Sequence, residues 1–197
     1  ERERENLVKI LLYIFDVIEI KIQEIATIKR GRVISKKEIK QSGGKYPVYS
    51  SQTENAGILG YINTYDFDGE YLTWTTDGSK AGTVFYRNGQ FNITNVCGLI
   101  NPIHNIVNPK FLYYCLTTKT KKYVNKNIAN AKLMSNVMAN IKILLPNLNI
   151  QNKIVNLLNT FEHISRNINV GLPAEINLRE KQYTYYLNKI FNILNKN

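Results

Sequence analysis

A polar segment interrupts strand-like sequence near the middle of the chain. Residues 72–86 read LTWTTDGSKAGTVFY, where β-branched and aromatic residues favour a strand on both sides of segment 75–80. That segment, Thr-Thr-Asp-Gly-Ser-Lys, carries hydroxyl, carboxylate and ammonium groups side by side. A turn needs only residues that tolerate the reversal of the chain, so the additional hydrogen-bonding groups indicate a surface that binds a polar partner.

The charge distribution narrows the kind of partner. The chain has 26 Lys and Arg against 15 Asp and Glu, a net charge of +11 and a pI near 9.6. No acidic residue lies between Asp77 and Glu162. The basic residues of that interval are Lys80, Arg87, Lys110, Lys119, Lys121, Lys122, Lys126, Lys132, Lys142 and Lys153. This excess indicates a polyanion, nucleic acid first and acidic membrane second; a lysine-rich composition alone would not explain the missing acids.

Most enzyme classes lack the residues that they require. In Gly78-Ser-Lys-Ala-Gly-Thr the lysine precedes the last glycine, the reverse of a phosphate-binding loop. Asn101-Pro102-Ile103-His104 lacks the second proline and the aromatic residue of the amino-methyltransferase loop. Cys97 and Cys115 are far apart, and neither histidine has partners at metal-ligand spacing. We therefore predict no catalytic residue, metal or cofactor, and a reducing cytoplasmic location.

One catalytic alternative stays open, a magnesium-dependent nuclease. Asp66, Asp68 and Glu70 lie close together in the sequence, and clustered carboxylates bind Mg²⁺. However, no lysine stands two places after Glu70, and Asp68-Gly69 also fits a simple turn. Non-enzymatic binding is the stronger interpretation.

The elements that would position the polar segment are mostly short strands. Strands are predicted at 46–49, 58–62, 71–75, 83–87, 91–94 and 141–146, with turns at Gly43-Gly44, Asp68-Gly69, Asp77-Gly78 and Asn88-Gly89. Asn88-Gly89 is a strong signal for a tight hairpin, because both central residues of that turn need positive φ. Helices are predicted over 1–18 and 109–124, and residues 19–30 fit either a strand or a short helix.

The last part of the chain has the spacing of long helices. Its apolar residues recur at alternating intervals of four and three, the a/d pattern of a coiled coil. They are Ile150, Ile154, Leu157, Phe161, Ile164 and Ile168. Gly171-Leu172-Pro173 interrupts the pattern before a second helical run. The partner of this seam would be the second run, the N-terminal helix or another chain, although a helical hairpin packed on its own domain would give the same pattern.

Several segments together resemble one known family. They are YPVYSSQTENAGILGYI, EYLTWTTDGSKAGTVFYRNGQFNITNVCGLI, KLMSNVMANIKILLP and IQNKIVNLLNTF with GLPAEINLREKQYTYY. In this order they resemble a target-recognition domain and conserved helical region of the DNA specificity (S) subunits of type I restriction–modification enzymes, over about residues 22–197. The resemblance implies an α+β fold: a globular recognition domain of short twisted strands with peripheral helices, followed by long coiled-coil-forming helices. We expect an N-terminal helix over 1–18, the recognition domain over 19–148 and the helical region over 149–197.

The resemblance also implies a division of labour among subunits. Such a subunit is non-catalytic and reads double-stranded DNA, while modification (methyltransferase) subunits methylate adenine and a motor/nuclease subunit cleaves. Family members usually have two recognition domains, whereas this sequence has one, so we expect a half-subunit or a fragment. Its second recognition half would come from dimerisation or from the rest of a longer chain. The specificity module of a fused restriction–methylation enzyme and a structural coiled-coil adaptor are the alternatives.

Within this interpretation the polar segment meets base edges. Threonine methyls can contact thymine methyls, aspartate can accept from a cytosine amino group, and lysine can donate to guanine or phosphate. The predicted DNA-binding residues are Lys29, Arg30, Arg32, Ser50, Ser51, Gln52, Thr73, Thr75, Thr76, Asp77, Gly78, Ser79, Lys80, Arg87, Asn92 and Lys132. Two simpler interpretations are a plain hairpin turn at Asp77-Gly78 and a core position, not a base-stacking one, for Trp74.

The predicted helices suggest how two half-sites would be spaced. Residues 150–170 in a helix would span about 30 Å at ~1.5 Å per residue. That length is close to one turn of B-DNA, ~34 Å. Two antiparallel copies would therefore hold their recognition domains about a turn apart, and the exposed aromatic residues Tyr183, Tyr185 and Tyr186 would dock methyltransferase subunits.

Overall fold

The computed structural model describes residues 2–126, 130–167 and 173–194. It mixes helices with short strands, which confirms the predicted α+β class. The helices are α1 (Arg2–Ile14), α2 (Ile22–Ile25), α3 (Lys36–Ser42), α4 (Pro109–Lys119), α5 (Ser135–Asn140), α6 (Leu148–Asn167) and α7 (Pro173–Leu194). The strands are β1 (Val17–Lys21), β2 (Ala26–Arg30), β3 (Tyr46–Tyr49), β4 (Ile58–Ile62), β5 (Phe67–Thr75), β6 (Val84–Ile93), β7 (Cys97–Pro102) and β8 (Lys142–Pro146).

The first part of the chain differs from its prediction in detail. The helix predicted over 1–18 ends at Ile14, and Val17 and Ile18 belong to β1, which pairs antiparallel with β8. The ambiguous segment 19–30 contains both candidate structures, because α2 separates β1 from β2. The prediction missed α3, although Ser35 accepts a hydrogen bond from the Glu38 amide and so caps that helix.

A six-stranded sheet in the order β2–β7–β5–β6–β3–β4 carries the polar segment. β5 and β6 are antiparallel partners, with Trp74 opposite Val84 near the turn and Phe67 opposite Phe91 at the other end. The chain between these two strands forms the 76–83 turn. β6 also pairs in parallel with β3 at its far end. One strand thus links the polar turn to the β3–β4 half of the sheet.

The hairpin predicted at Asn88-Gly89 is wrong. Both residues lie inside β6, and Gly89 stands directly opposite Gly69 of β5. These glycines have φ of 99° and 124°, and the pairing of the two strands continues through them. Glycine adopts such φ values without steric cost, so they do not end the strands.

One face of the sheet packs on helices to form the main core. Leu72 and Ile100 of the sheet and Phe111 and Leu112 of α4 are fully buried in it. Trp74 is buried there too, and its indole Nε1 donates to the carbonyl of Leu133 at 2.9 Å. Trp74 is therefore a core residue, as the simpler interpretation held, and it ties segment 130–134 to the sheet.

Both long helices join the same core. Val155 and Leu158 of α6 and Leu187 and Phe191 of α7 are among its buried residues. Gln151 of α6 is also fully buried, and its amide bonds to backbone groups of residues 106, 108 and 146. The face of α6 that packs on the domain is therefore the one that carries residues 151, 155 and 158.

The predicted a/d seam of α6 lies partly outside this packed face. Ile150 and Leu157 are 36% and 48% exposed, and Ile154 packs at the edge of the core. Phe161 stacks on Tyr186 of α7, with ring centroids 5.7 Å apart. The second helical run is therefore one partner of the seam. The side chain of Ile164 and the whole of Ile168 lie outside the described residues.

The division into 1–18, 19–148 and 149–197 stays a prediction, although α6 begins at Leu148. Among the residues that the structure describes, every helix is too short or too polar to cross a membrane.

Candidate nucleic-acid interface

Inward-pointing hydroxyl groups hold the 76–83 turn. Thr75 Oγ1 donates to the carbonyl of Lys80 at 2.6 Å and accepts from the amide of Thr83 at 3.0 Å. Thr76 Oγ1 lies 2.7 Å from two acceptors, the carbonyl of Val96 and Asp77 Oδ2, which share its single hydrogen. These bonds satisfy partly buried backbone groups across the turn and next to the start of β7. The turn is a rigid base fastened on two sides.

The burial of these threonines corrects part of the predicted DNA-binding set. The side chains of Thr73, Thr75 and Thr76 have 0% exposure. Thr73 Oγ1 accepts from Arg87 Nε at 3.0 Å, so its hydroxyl is occupied as well. Their methyl groups cannot meet bases in this fold, because the side chains are buried. The hydroxyls of Thr75 and Thr76, which suggested recognition, support the turn instead.

The outer part of the turn is at the surface. Ser79 and Lys80 are exposed, and Asp77 and Gly78 are half-buried. Gly78 has φ of 94°, and a Cβ added to it would meet nothing within 4 Å. Asp77 Oδ1 lies 3.7 Å from Lys132 Nζ. The structure therefore brings five predicted residues to one surface.

Lysines that follow α4 lie against this turn. Lys121, in the 3-10 turn after α4, donates from Nζ to Thr83 Oγ1 at 2.8 Å. Burial, and then the nearby charges of Lys80 and Lys126, lower the pKa of Lys121. We name this surface the basic apex; its members are Lys80, Lys121, Lys126 and Lys132, together with Lys122, which is exposed next to Lys121 in the same 3-10 turn.

Sequence reasoning placed only Lys80 and Lys132 of the basic apex in the site. Lys121, Lys122 and Lys126 belong to the acid-free interval, which was the available signal for them. Their position could not be read from spacing, because about forty residues separate Lys121 from Lys80 and only the fold brings them together.

A second polar surface is the 50–57 loop between β3 and β4. Ser50 and Ser51 are half-buried, and Gln52 is exposed and donates from Nε2 to the carbonyl of Ile58 at the start of β4. Asn55 and Ala56 are exposed and have φ of 47° and 52°. A left-handed conformation costs a non-glycine residue roughly 1–2 kcal/mol. The loop is therefore strained where it is most exposed.

Arg87 and Asn92 were also predicted to contact DNA, and the structure corrects both. Their side chains are 7% and 0% exposed. Asn92 Nδ2 donates to the carbonyl of Thr64 at 2.7 Å. The Arg87 guanidinium lies against the rings of both Tyr49 and Phe85. Burial lowers the pKa of Arg87. Both side chains act inside the fold.

The predicted basic corner after β2 is partly neutralised. Arg32 forms ion pairs with Glu38 at 3.0 Å and with Asp66 at 3.1 Å. Arg30 is half-buried, and its Nη1 is buried without a hydrogen-bond partner. Lys29 is exposed on β2. Lys29 is thus the member of this corner that is most accessible to a phosphate.

The carboxylates of the nuclease alternative have separate partners. Asp66 belongs to the ion pair just described, Asp68 accepts from Gln90 Nε2 at 2.8 Å, and Glu70 accepts from the Tyr86 hydroxyl at 2.6 Å. Within residues 2–126, 130–167 and 173–194, no group of three or more His, Cys, Asp or Glu side chains could hold a metal ion. This arrangement does not supply the shared Mg²⁺ site that the alternative needs.

The helices also expose apolar side chains. The exposed members are Leu7, Ile10 and Tyr13 of α1, with Phe15 just after that helix, Ile150 and Leu157 of α6, and Leu178, Tyr185 and Tyr186 of α7. So many exposed apolar side chains on helices indicate surfaces that bind other proteins or other parts of a longer chain.

Comparison with known proteins gives the class to which this fold and surface belong. The sequence matches the family of type I restriction modification DNA specificity domains over residues 16–178. Because the match covers most of the chain, the chain belongs to this family.

Similar curated proteins come from Mycoplasma pneumoniae (strain ATCC 29342 / M129). The type I specificity subunit S.MpnORF285P is 43% identical over 190 residues, which are 96% of this chain and 62% of that protein. The specificity subunit of the type I restriction enzyme MpnII is 43% identical over 189 residues, 96% of this chain and 57% of that protein. S.MpnORF201P is 42% identical over 193 residues, 98% of this chain and 81% of that protein. The chain spans little more than half the length of the first two of these proteins.

Solved structures share the fold. The S subunit of a type I restriction–modification system from M. genitalium has a TM-score of 0.65 and 18% identity, over 77% of this chain and 40% of that one. The HsdS subunit from Thermoanaerobacter tengcongensis has a TM-score of 0.60 and 15% identity, over 96% of this chain and 51% of that one.

Proposed function

We propose that this chain is the DNA-reading part of a type I specificity subunit, a non-catalytic protein that binds double-stranded DNA at a particular sequence. The observation that carries the proposal is the basic apex, where exposed Ser79 and Lys80 stand on a turn that buried Thr75 and Thr76 hold from inside. A rigid turn loses little conformational freedom on binding, so its outer groups can discriminate between bases.

We assign two kinds of DNA contact to the basic apex and to the adjacent outer residues of the 76–83 turn. Lysines act as point charges on phosphates, which positions the protein on the duplex without reading sequence. Ser79 can donate to or accept from a base edge, and Asp77 can accept from a cytosine amino group when Lys132 turns to a phosphate. Gly78 allows the backbone to approach closely, because it has no side chain to hold DNA away.

Two further surfaces extend this interface. The 50–57 loop offers Ser50, Ser51 and Gln52, and a glutamine amide can pair with adenine through two hydrogen bonds. Lys29 and Arg30 of β2, with Arg32 just after it, can contact phosphates. For Arg32 a phosphate must compete with two carboxylates, so Lys29 contributes more of the binding.

The helices provide the assembly surfaces in this proposal. Exposed apolar residues of α1, α6 and α7 dock methyltransferase subunits, and through them the motor/nuclease subunit, in the cytoplasm. The outer seam of α6, with Ile150 and Leu157, meets a second recognition half, from a second copy or from the rest of a longer chain. α6 has 20 residues and so spans about 30 Å, close to a turn of DNA. Helix length would then set the spacer of a bipartite site.

Selection from random-sequence duplexes tests this function, with the chain alone and with its methyltransferase subunit. We expect the chain alone to enrich one short sequence and the assembly to enrich two, separated by a fixed spacer. The affinity should fall steeply as salt rises, because phosphate contacts release counterions. Equal recovery of all duplexes, with an affinity that salt leaves unchanged, would refute the proposal.

A further inference from the structure

Arg87 is a buried cation whose described partners are neutral. Its guanidinium carbon lies 3.5 Å from the centroid of the Tyr49 ring and 4.4 Å from that of Phe85. Nε donates to Thr73 Oγ1 at 3.0 Å, and Nη2 donates to the carbonyl of Ala56 at 2.8 Å. Among the described side chains, the ion pairs involve other residues. Burying a charge is costly, and stacking on rings offsets only part of that cost. A function for this arginine would explain its position.

The acceptor of the Nη2 bond belongs to a turn that is unusual in itself. Asn55, Ala56 and Gly57 follow one another with φ of 47°, 52° and 84°. Left-handed non-glycine residues persist only where the surroundings hold them. Asn55 and Ala56 are exposed, so core packing does not hold them.

Arg87 is the group that reaches this turn from inside. A Cβ added to Gly57 would lie 3.1 Å from Arg87 Nη2, so the backbone of the turn rests directly against the guanidinium. The loop closes behind this point through a bond of 3.0 Å from the Ser50 amide to the Gly57 carbonyl. The guanidinium thus joins the exposed tip of the 50–57 loop to Thr73 in the sheet.

We propose that Arg87 is a positioning residue that fixes the 50–57 loop in its base-reading shape without touching DNA. This inference rests on the proposed DNA-binding function. Lysine cannot replace Arg87, because it lacks the planar group that contacts two rings while donating from two nitrogens to Thr73 and Ala56. Loss of Arg87 should leave phosphate binding by the basic apex in place and reduce the discrimination between sequences.

The test compares Arg87→Lys with two substitutions in the loop. Ala56→Pro fixes φ near about −65°, which is incompatible with the φ of 52° at this position. Ala56→Gly is the matched control, because glycine adopts positive φ without steric cost. Each protein is mixed with random-sequence duplexes, and both the enrichment of the best site and the affinity for the unselected pool are measured. Hydrogen exchange of the Ser50 amide reports the shape of the loop independently of DNA.

We expect Arg87→Lys and Ala56→Pro to reduce the enrichment on the order of tenfold, the value of one lost base contact. The affinity of both variants for the unselected pool should equal that of the unmodified chain. Their Ser50 amide should exchange on the order of tenfold faster than in the unmodified chain. Ala56→Gly should match the unmodified chain. If Arg87→Lys does not fold, Thr73→Val, which removes the acceptor of Nε alone, takes its place with the same expected directions.

Three results would overturn the positioning role: wild-type enrichment in Arg87→Lys and Ala56→Pro, an equal loss in Ala56→Gly, or an unchanged Ser50 exchange in Arg87→Lys. If the unmodified chain enriches nothing, the proposed function fails as well. Altered Ser50 exchange would then show that Arg87 still holds the loop, which separates the two failures.

Discussion

At the scale of single residues, Lys80 shows how support and contact are combined in the 76–83 turn. Its carbonyl accepts from buried Thr75, while its ammonium group is exposed beside Ser79. The backbone of the residue is therefore fixed from inside, and its side chain is left for a partner. Thr75 takes the opposite role, because all of its side chain serves the turn.

Thr75→Val tests the supporting role, since valine keeps the shape and removes the hydroxyl. Two backbone groups, the carbonyl of Lys80 and the amide of Thr83, would each lose one partner, although they keep the bond of 3.1 Å between them. We expect the free energy of unfolding, measured by urea denaturation, to fall by about 1–1.5 kcal/mol. Thr160→Val is the control, because that hydroxyl is exposed on α6, and its effect should be within about 0.5 kcal/mol. Equal losses in the two variants would contradict the supporting role.

Combined substitution of Lys80, Lys122 and Lys126 by Met tests whether the lysines of the basic apex contact DNA phosphates. Binding to all duplexes should weaken together, and the slope of log affinity against log salt should become shallower by about three. Fluorescence anisotropy at several salt concentrations measures both quantities. Substituting Lys153, Lys181 and Lys189 by Met removes the same charge from α6 and α7 and should leave the slope of the isolated chain unchanged. A similar loss in both triple variants would point to net charge instead of the basic apex.

At the scale of elements, side-chain type predicted strands more reliably than turns. β3 and β4 were predicted with their observed bounds, because Tyr46-Pro47-Val48-Tyr49 and the run from Ile58 to Ile62 are short, rich in β-branched or aromatic residues and preceded by glycine. Asn88-Gly89 had a stronger turn signal than Asp77-Gly78, yet only the latter lies in the turn. The register of β5 and β6 decides this, and register depends on pairing between distant residues.

The predicted site mixed outer and inner residues for a similar reason. Thr75 and Ser79 have the same hydrogen-bonding chemistry, and nothing in the local sequence says which one faces the core. The burial of Thr75 follows from the pairing of β5 with β7 and from its bonds across the turn, and Ser79 is left exposed. In the same way, the local sequence of segment 120–126 did not predict that its lysines lie near Lys80, because this contact depends on where α4 ends.

The length of the helical elements gives a prediction at this scale. One heptad inserted after His163 in α6, with a matching heptad before Leu178 in α7, would extend the pair beyond the Phe161–Tyr186 stack. In an assembly with two recognition halves, the preferred spacer should grow by about three base pairs, since seven residues add about 10 Å. Site selection measures the spacer, and replacing a heptad by one of equal length is the control. An unchanged spacer would exclude the helices as the ruler.

At the scale of the whole molecule, one core unites the parts that the sequence suggested were separate. Val8 of α1, the sheet, α4 and Phe191 of α7 are buried in the same cluster. The ring of Phe191 lies 5.9 Å from that of Phe111, which is fully buried. The recognition domain and the base of the helical region therefore stabilise each other.

Phe191→Ala tests this shared core. We expect the free energy of unfolding to fall by about 3–5 kcal/mol, the usual cost of truncating a buried phenylalanine. Tryptophan fluorescence of Trp74 and far-ultraviolet circular dichroism should report the same shifted transition, since the sheet and the helices would unfold together. Leu178→Ala, at a side chain that is 66% exposed, should change little. A Trp74 transition that stays in place while helicity is lost would contradict a common core.

The opposite orientations of Thr75 and Ser79 bear on how such a protein could evolve. Because the hydroxyls that stabilise the turn are buried, mutations at Ser79, Lys122 or Lys126 would leave its internal bonds intact. Selection could therefore redirect the preference of this surface one outer position at a time, while the stability of the fold stays almost constant.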